Sequence, residues 1–191
     1  MNIRNYVTVV TGVPRSGTSL MMQMLQAGGI TALTDNRRLP DIHNPNGYFE
    51  FEPVKGIARD ASWMNAARGK AVKIIYRLLP HLPPDFEYRV VFMERNLGEV
   101  FASQSDMLRA HGDAAVEQKE EHVIAAFDEE LQQTRRWLSA QPNIRTLFAI
   151  YADIISNPAQ WSSQLSRFLD GLEVSAMAAV VDPRLRHWKR T

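Results

Sequence analysis

The chain has 191 residues, 45% of them hydrophobic, and carries 22 basic against 21 acidic residues for a formal net charge of +1. That length suits one domain over residues 1–191 with a sizeable core, and the balanced charge gives no electrostatic case for nucleic acid or an anionic membrane as a partner. There is no cysteine, hence no disulfide framework and no thiolate chemistry. The apolar run in MNIRNYVTVVTG is too short for a signal peptide and no stretch reaches membrane-spanning length, so a soluble, cytoplasmic protein is expected.

Val7, Val9 and Val10 form a β-branched apolar run that reads as a buried strand. It feeds a turn from Gly12 to Gly17, after which Leu20, Met21, Met24 and Leu25 recur at helical spacing as far as the stop at Ala27-Gly28-Gly29. A strand, a glycine-bearing loop and a helix in that order converge backbone N–H groups and the positive end of a helix dipole on an anion. Arg15 adds a cation with a planar donor fork, and Ser16, Thr18 and Ser19 add hydroxyls. The nucleotide-triphosphate loop, GxxxxGK(S/T), is the obvious template. Gly12 and Gly17 have its spacing, but Thr18 stands where its lysine belongs and the cation is Arg15 instead, which argues against ordinary ATP or GTP hydrolysis.

Ile30 to Leu33 reads as a short, weak strand, and residues 35–48, DNRRLPDIHNPNGY, as a long loop holding Arg37, Arg38, Asp41 and His43. Helical segments are expected around Pro53 to Arg59 and Ser62 to Ala67, with Glu50 and Glu52 at or just before the first. AVKIIY (71–76) is a second buried strand, with Lys73 inside it, and Leu78 to Pro84 is a proline-marked connection. Tyr88 to Met93 is a further strand that ends in Glu94-Arg95-Asn96, and Leu97 to Arg109 is a helix. Ala114 to Leu138 predicts a long amphipathic helix whose charged positions form a solvated face. Ile144 to Tyr151 is a last strand, followed by a helix opening at Asn157-Pro158 and running through Leu169, a short helix over Glu173 to Val181 and a basic tail.

Strands alternating with helices predict an α/β fold: a three-layer sandwich with a central, mainly parallel sheet of about five strands and helices on both faces. In such sheets ligands bind beyond the carboxyl ends of the strands. Arg15, Lys73, Arg95 and Tyr151 all fall there. Arg95 leaves a strand and Ser103 follows eight residues later in the next helix, so both can reach one anion. Taken alone, the pair reads first as a surface ion-pairing arginine and an ordinary helix-face serine.

Three blocks together resemble the sulfotransferases that use 3′-phosphoadenosine 5′-phosphosulfate (PAPS). The first is Thr11, Pro14, Arg15, Ser16, Gly17, Thr18, Ser19 and Leu25, similar to that family's 5′-phosphosulfate loop. The second is Arg95, Asn96, Glu99, Val100 and Ser103, similar to its 3′-phosphate motif, with Leu97 in place of the usual proline. The third is IYADIISNPAQWSSQLSRFLDGL, in which Tyr151 takes the place of a tyrosine near the adenine. The resemblance spans most of the chain. It implies a P-loop NTPase-like fold and cofactor binding by Pro14, Arg15, Ser16, Gly17, Thr18, Ser19, Arg95, Ser103 and Tyr151. It implies no metal, and an acceptor that is a small molecule, glycan or peptide.

By the same resemblance Arg15 holds the phosphosulfate and Lys73 assists on the transferred group. Val72 and Lys73 match the family's segment after its third strand, but Ile75 holds the place of its catalytic histidine, with His81 nearby but out of register. Glu50 is then the leading base, since some sulfotransferases use a glutamate from this region, with Glu52 and His43 as the other candidates. A carboxylate at the start of a helical segment equally complements the dipole. The family's glycine-rich segment that closes over the 3′-phosphate has no counterpart, and the tail with Arg184, Arg186, Trp188 and Lys189 is offered in its stead. A small-molecule kinase and a non-catalytic PAPS-binding module are the alternatives.

Overall fold

The structure, a computed structural model, describes residues 4–41, 44, 47–110 and 120–182. His43, the start of the helix expected from Ala114 and the tail with Arg184, Arg186, Trp188 and Lys189 lie outside the described residues.

Four strands form one parallel sheet in the order β2-β1-β3-β4. They are β1 Val7–Gly12, β2 Ala71–Lys73, β3 Tyr88–Glu94 and β4 Ile144–Ile150. All six residues of β1 are buried, as expected of an inner strand in a sheet covered on both faces. Val9 lies opposite Val72 on one side and Val90 on the other. Side chains then alternate between two cores. Val9, Val72, Val90 and Phe92 enter one, and Val10, Val91, Met93 and Ala149 enter the other.

The helices divide in the same way. α1 (Thr18–Ala27), α4 (Tyr151–Ser156), α5 (Pro158–Phe168) and α6 (Val174–Ala179) cover the second core through residues such as Met21, Leu25, Ile154, Leu165 and Met177. α2 (Leu97–Ala110) and α3 (Glu120–Ser139) cover the first, with three 3-10 segments at Glu52–Gly56, Ser62–Ala67 and Tyr76–His81. The result is the expected α/β sandwich.

The expected fifth strand is absent among the described residues: Ile30 to Leu33 forms only an isolated parallel bridge between Ala32 and Ala71. The Leu33 N–H still donates to the Ala71 carbonyl at 2.7 Å, but from Thr34 onward the polar groups turn to residue 50. The Thr34 hydroxyl donates to the Glu50 carbonyl at 2.8 Å and the Asp35 N–H to the same oxygen at 3.2 Å. β2 stops at Lys73 because residues 76–81, which contain Pro80, coil into a 3-10 turn. Nor is the charged side of α3 wholly solvated. Glu130 accepts from Tyr76 and Arg77, and Arg135 pairs with Glu94 at the end of β3. No helix among the described residues is long and apolar enough to cross a membrane.

Candidate functional site

The loop after β1 has the tight path that its glycines allow. At Gly12, φ is 148°, and an added Cβ would lie 2.7 Å from the Met93 carbonyl oxygen and 2.5 Å from Ser16 Oγ. At Gly17, φ is 96°, and an added Cβ would lie 2.4 Å from the ring of Tyr151. Between them Arg15 adopts a left-handed φ of 69°, uncommon for a residue with a side chain. Gly17 caps α1 without any side-chain hydrogen bond. The first N–H groups of a helix have no partners within it, so the Thr18 and Ser19 N–H groups at the start of α1 are donors at the end of the loop. Pro14 is exposed at the crown of the loop, and Ser16 is fully buried.

Arg15 reaches across to α2, where its Nε donates to Ser103 Oγ at 3.0 Å. Arg95, beyond the end of β3, donates from Nη1 to the Arg15 carbonyl at 3.0 Å and from Nε to Glu99 at 3.1 Å. Its guanidinium carbon lies 4.6 Å from the ring centroid of Tyr151. Only 8% of the Arg95 side chain is exposed, yet its Nη2 makes no hydrogen bond among the described residues. Burial lowers the pKa of Arg15, and the positive charges of Arg95 and Arg38 act in the same direction against Tyr48 and Asp41.

Lys73, the last residue of β2, donates to Ser19 Oγ at 3.0 Å and to the Tyr48 carbonyl at 2.9 Å. Desolvation lowers its pKa to about 8, reinforced by Arg38 and Arg15 and opposed by Glu50. The segment ahead of it folds over this end of the sheet. Asn44 Nδ2 donates to Ser19 Oγ at 2.8 Å, and the buried Tyr48 donates its hydroxyl to Asp41 Oδ2 at 2.6 Å. Arg38 lies 3.4 Å over the Tyr48 ring and pairs with Glu50 at 2.8 Å.

Arg15, Ser16, Gly17, Thr18, Ser19, Lys73, Arg95, Ser103 and Tyr151 form one contiguous constellation at the carboxyl end of the sheet. Tyr151 opens α4 instead of ending a strand, and its ring supports Gly17 from beneath. Glu50 joins the constellation through Arg38 and the field at Lys73. Glu52 does not: its carboxylate pairs with Lys55 at 2.8 Å in the first turn of a 3-10 segment. Ile75, in the histidine's place, is 50% exposed. Tyr48 and Asn44 escaped the sequence reading. Asparagine in a Pro/Gly-rich loop reads as a turn former, and no spacing rule links residue 44 to residue 19.

The family described as Sulfotransferase domain matches residues 7–189. No curated protein matches the chain. Among solved structures the fold is similar to the sulfotransferase domain of the Synechococcus PCC 7002 olefin synthase, with 14% identity, a TM-score of 0.57, and coverage of 97% of this chain and 88% of that one. It is similar to the sulfotransferase domain from the curacin biosynthetic pathway at 17% identity and a TM-score of 0.51, covering 97% and 78%. A sulfotransferase from Mycobacterium avium aligns at 12% identity and a TM-score of 0.50, covering 100% and 70%.

Proposed function

The chain belongs to the sulfotransferase family, and from that premise we propose that it acts in the cytoplasm as a single domain, transferring a sulfuryl group from PAPS to a hydroxyl or amine of an acceptor. The observation that carries the reading is Arg95 Nη2: this cationic side chain sits by the Arg15 carbonyl and the Tyr151 ring, and its Nη2 is buried with no hydrogen bond among the described residues. A buried, unsatisfied charged donor is costly, and an anion beside Arg95 and Ser103 would satisfy it. The donor set fits the two ends of PAPS: helix N–H groups and Arg15 at one, Arg95 and Ser103 at the other.

PAPS, when bound, supplies an activated sulfuryl group on a phosphate leaving group. The backbone N–H groups of Gly17 to Ser19 would hold the 5′-phosphate end, with Pro14 shaping the loop and the Ser16 N–H bracing it through the Val13 carbonyl at 3.2 Å. Arg15 and Lys73 stand ready for negative charge on the departing and transferred groups, and desolvation makes each cation more effective there than in water. Tyr151 fixes the loop's height through Gly17 and shares its ring with Arg95. Glu50 would take the acceptor's proton; its side chain is 36% exposed, held by Arg38 and close enough to Lys73 to act on its charge.

The test is calorimetry with adenosine 3′,5′-bisphosphate (PAP) against ATP. Binding of PAP with ATP much weaker is expected, and no PAP binding or tighter ATP binding would overturn the reading in favour of a kinase. The half-exposed Ile75 in the histidine's place favours one second reading, a non-catalytic PAP-binding module. Labelled PAPS screened over hydroxyl and amine acceptors decides it: transfer to any acceptor excludes the module.

A further inference from the structure

Ser19 Oγ receives two hydrogen bonds, from Lys73 Nζ at 3.0 Å and Asn44 Nδ2 at 2.8 Å. A hydroxyl has two acceptor lone pairs and one proton to donate. With both lone pairs engaged, the remaining capacity of Ser19 is its O–H, in the first turn of α1. Following the partners outward closes a ring. The Asn44 N–H donates to Asp41 Oδ1 at 2.9 Å, and the Tyr48 hydroxyl donates to Asp41 Oδ2 at 2.6 Å. The Tyr48 carbonyl accepts from Lys73 at 2.9 Å, which returns to Ser19.

We propose that Asp41 is a positioning residue of the anion site: it holds Asn44 and Tyr48 so that they and Lys73 fix Ser19 as a hydroxyl donor to an anion in the loop. The inference rests on the reading of that loop as an anion site. The carboxylate closes the ring by accepting from a different donor at each oxygen. An alanine at position 41 removes both acceptors, which leaves the Tyr48 hydroxyl without this partner and the Asn44 N–H with only the backbone carbonyl of residue 41, at 3.1 Å. The ring also keeps water from Lys73, whose charged neighbours are Glu50, Arg38 and Arg15.

The signs of the competing effects differ, which makes the idea testable. Removing a nearby carboxylate, taken by itself, makes a lysine release its proton more readily. Opening the ring to water makes Lys73 hold its proton more tightly. The experiment is an NMR titration of the Lys73 side chain in the unliganded protein, for the wild type, Asp41→Ala and the milder Tyr48→Phe. It is paired with calorimetry using PAP and inorganic pyrophosphate. The wild-type midpoint is expected at about 8, and in both variants it rises by about one pH unit or more. Affinity for each anion falls about tenfold in either variant, and no further in the double variant, because the two changes break one ring. A midpoint that stays or falls in folded variants overturns the inference, as does a wild type that binds neither anion. A wild type that binds pyrophosphate but not PAP, with the midpoints rising, leaves the role of Asp41 standing and removes the PAPS reading.

Discussion

Replacing Lys73 by methionine should stabilise the unliganded protein at neutral pH while weakening its affinity for PAP through the lost bond to Ser19. Lys73 gives up its proton near pH 8, against 10.5 for an ordinary lysine. At about 1.4 kcal/mol per pH unit, the folded chain bears a cost of roughly 3 kcal/mol for keeping this group charged at pH 7. The sign follows from proton binding. Between pH 8 and 10.5 the unfolded chain retains a proton that the folded chain has released, so wild-type stability from this group rises with pH there. Below pH 8 the full cost is present. Methionine fills a similar volume without the charge, but the Tyr48 carbonyl and Ser19 Oγ each lose a donor, at about 1 kcal/mol apiece. A net gain of about 1 kcal/mol is expected at pH 7, turning to a loss at pH 10 as the wild type becomes neutral. Urea denaturation of both proteins at the two pH values measures this. The difference between variant and wild type should shift by roughly 2–3 kcal/mol, and other titrating groups cancel in the comparison. A variant effect that does not depend on pH, or that grows more favourable at pH 10, would refute the reasoning.

Gly17→Ala combines a left-handed φ with a Cβ 2.4 Å from the Tyr151 ring; it should cost about 2 kcal/mol or more, read as a lowered Tm together with loss of PAP binding. Arg95→Lys keeps the charge but not the fork that serves the Arg15 carbonyl and Glu99 together. PAP affinity should drop at least about tenfold by calorimetry, and an unchanged Kd would remove Arg95 from the site. Glu50→Gln should lower kcat by about a hundredfold or more once an acceptor is in hand, with PAP affinity nearly constant; normal turnover would end its assignment as the base.

What the sequence made legible is what the chain encodes locally. The strands of a sheet covered on both faces are continuous β-branched runs, so Val7 to Val10 and Tyr88 to Met93 announce themselves. The loop and α1 are adjacent in the chain, and Arg95 and Ser103 are joined by one strand-to-helix turn, so their proximity can be read from spacing. Three things were not local. Ile30 to Leu33 has strand-like composition, but Thr34 and Asp35 commit the chain to residue 50. Tyr151 looks like the end of a strand, yet it starts a helix where its ring is needed beneath Gly17. The ring through Asp41, Asn44 and Tyr48 is made of loop residues whose partners lie on α1 and β2.

Three residues that the sequence pointed to, Arg15, Lys73 and Arg95, share one energetic character. Arg15 and Lys73 are held where desolvation works against their charge, and Arg15 adopts a backbone conformation that disfavours a side chain. Arg95 buries an N–H without a hydrogen bond among the described residues. Each is unfavourable in the unliganded chain, by about 1–3 kcal/mol apiece. On the proposed reading, an anion bound there would relieve the buried charges of all three. Cations dispersed on the surface would be hydrated and cheap to maintain, but would gain little from a ligand. Clustering them under a loop whose donors already converge moves that gain to the moment of binding, where it is realised most fully by the arrangement of greatest negative charge. The residues outside the phosphosulfate motif therefore matter as much as those in it: Asp41, Tyr48 and Asn44 keep Lys73 dry, and dryness is what gives its charge effect.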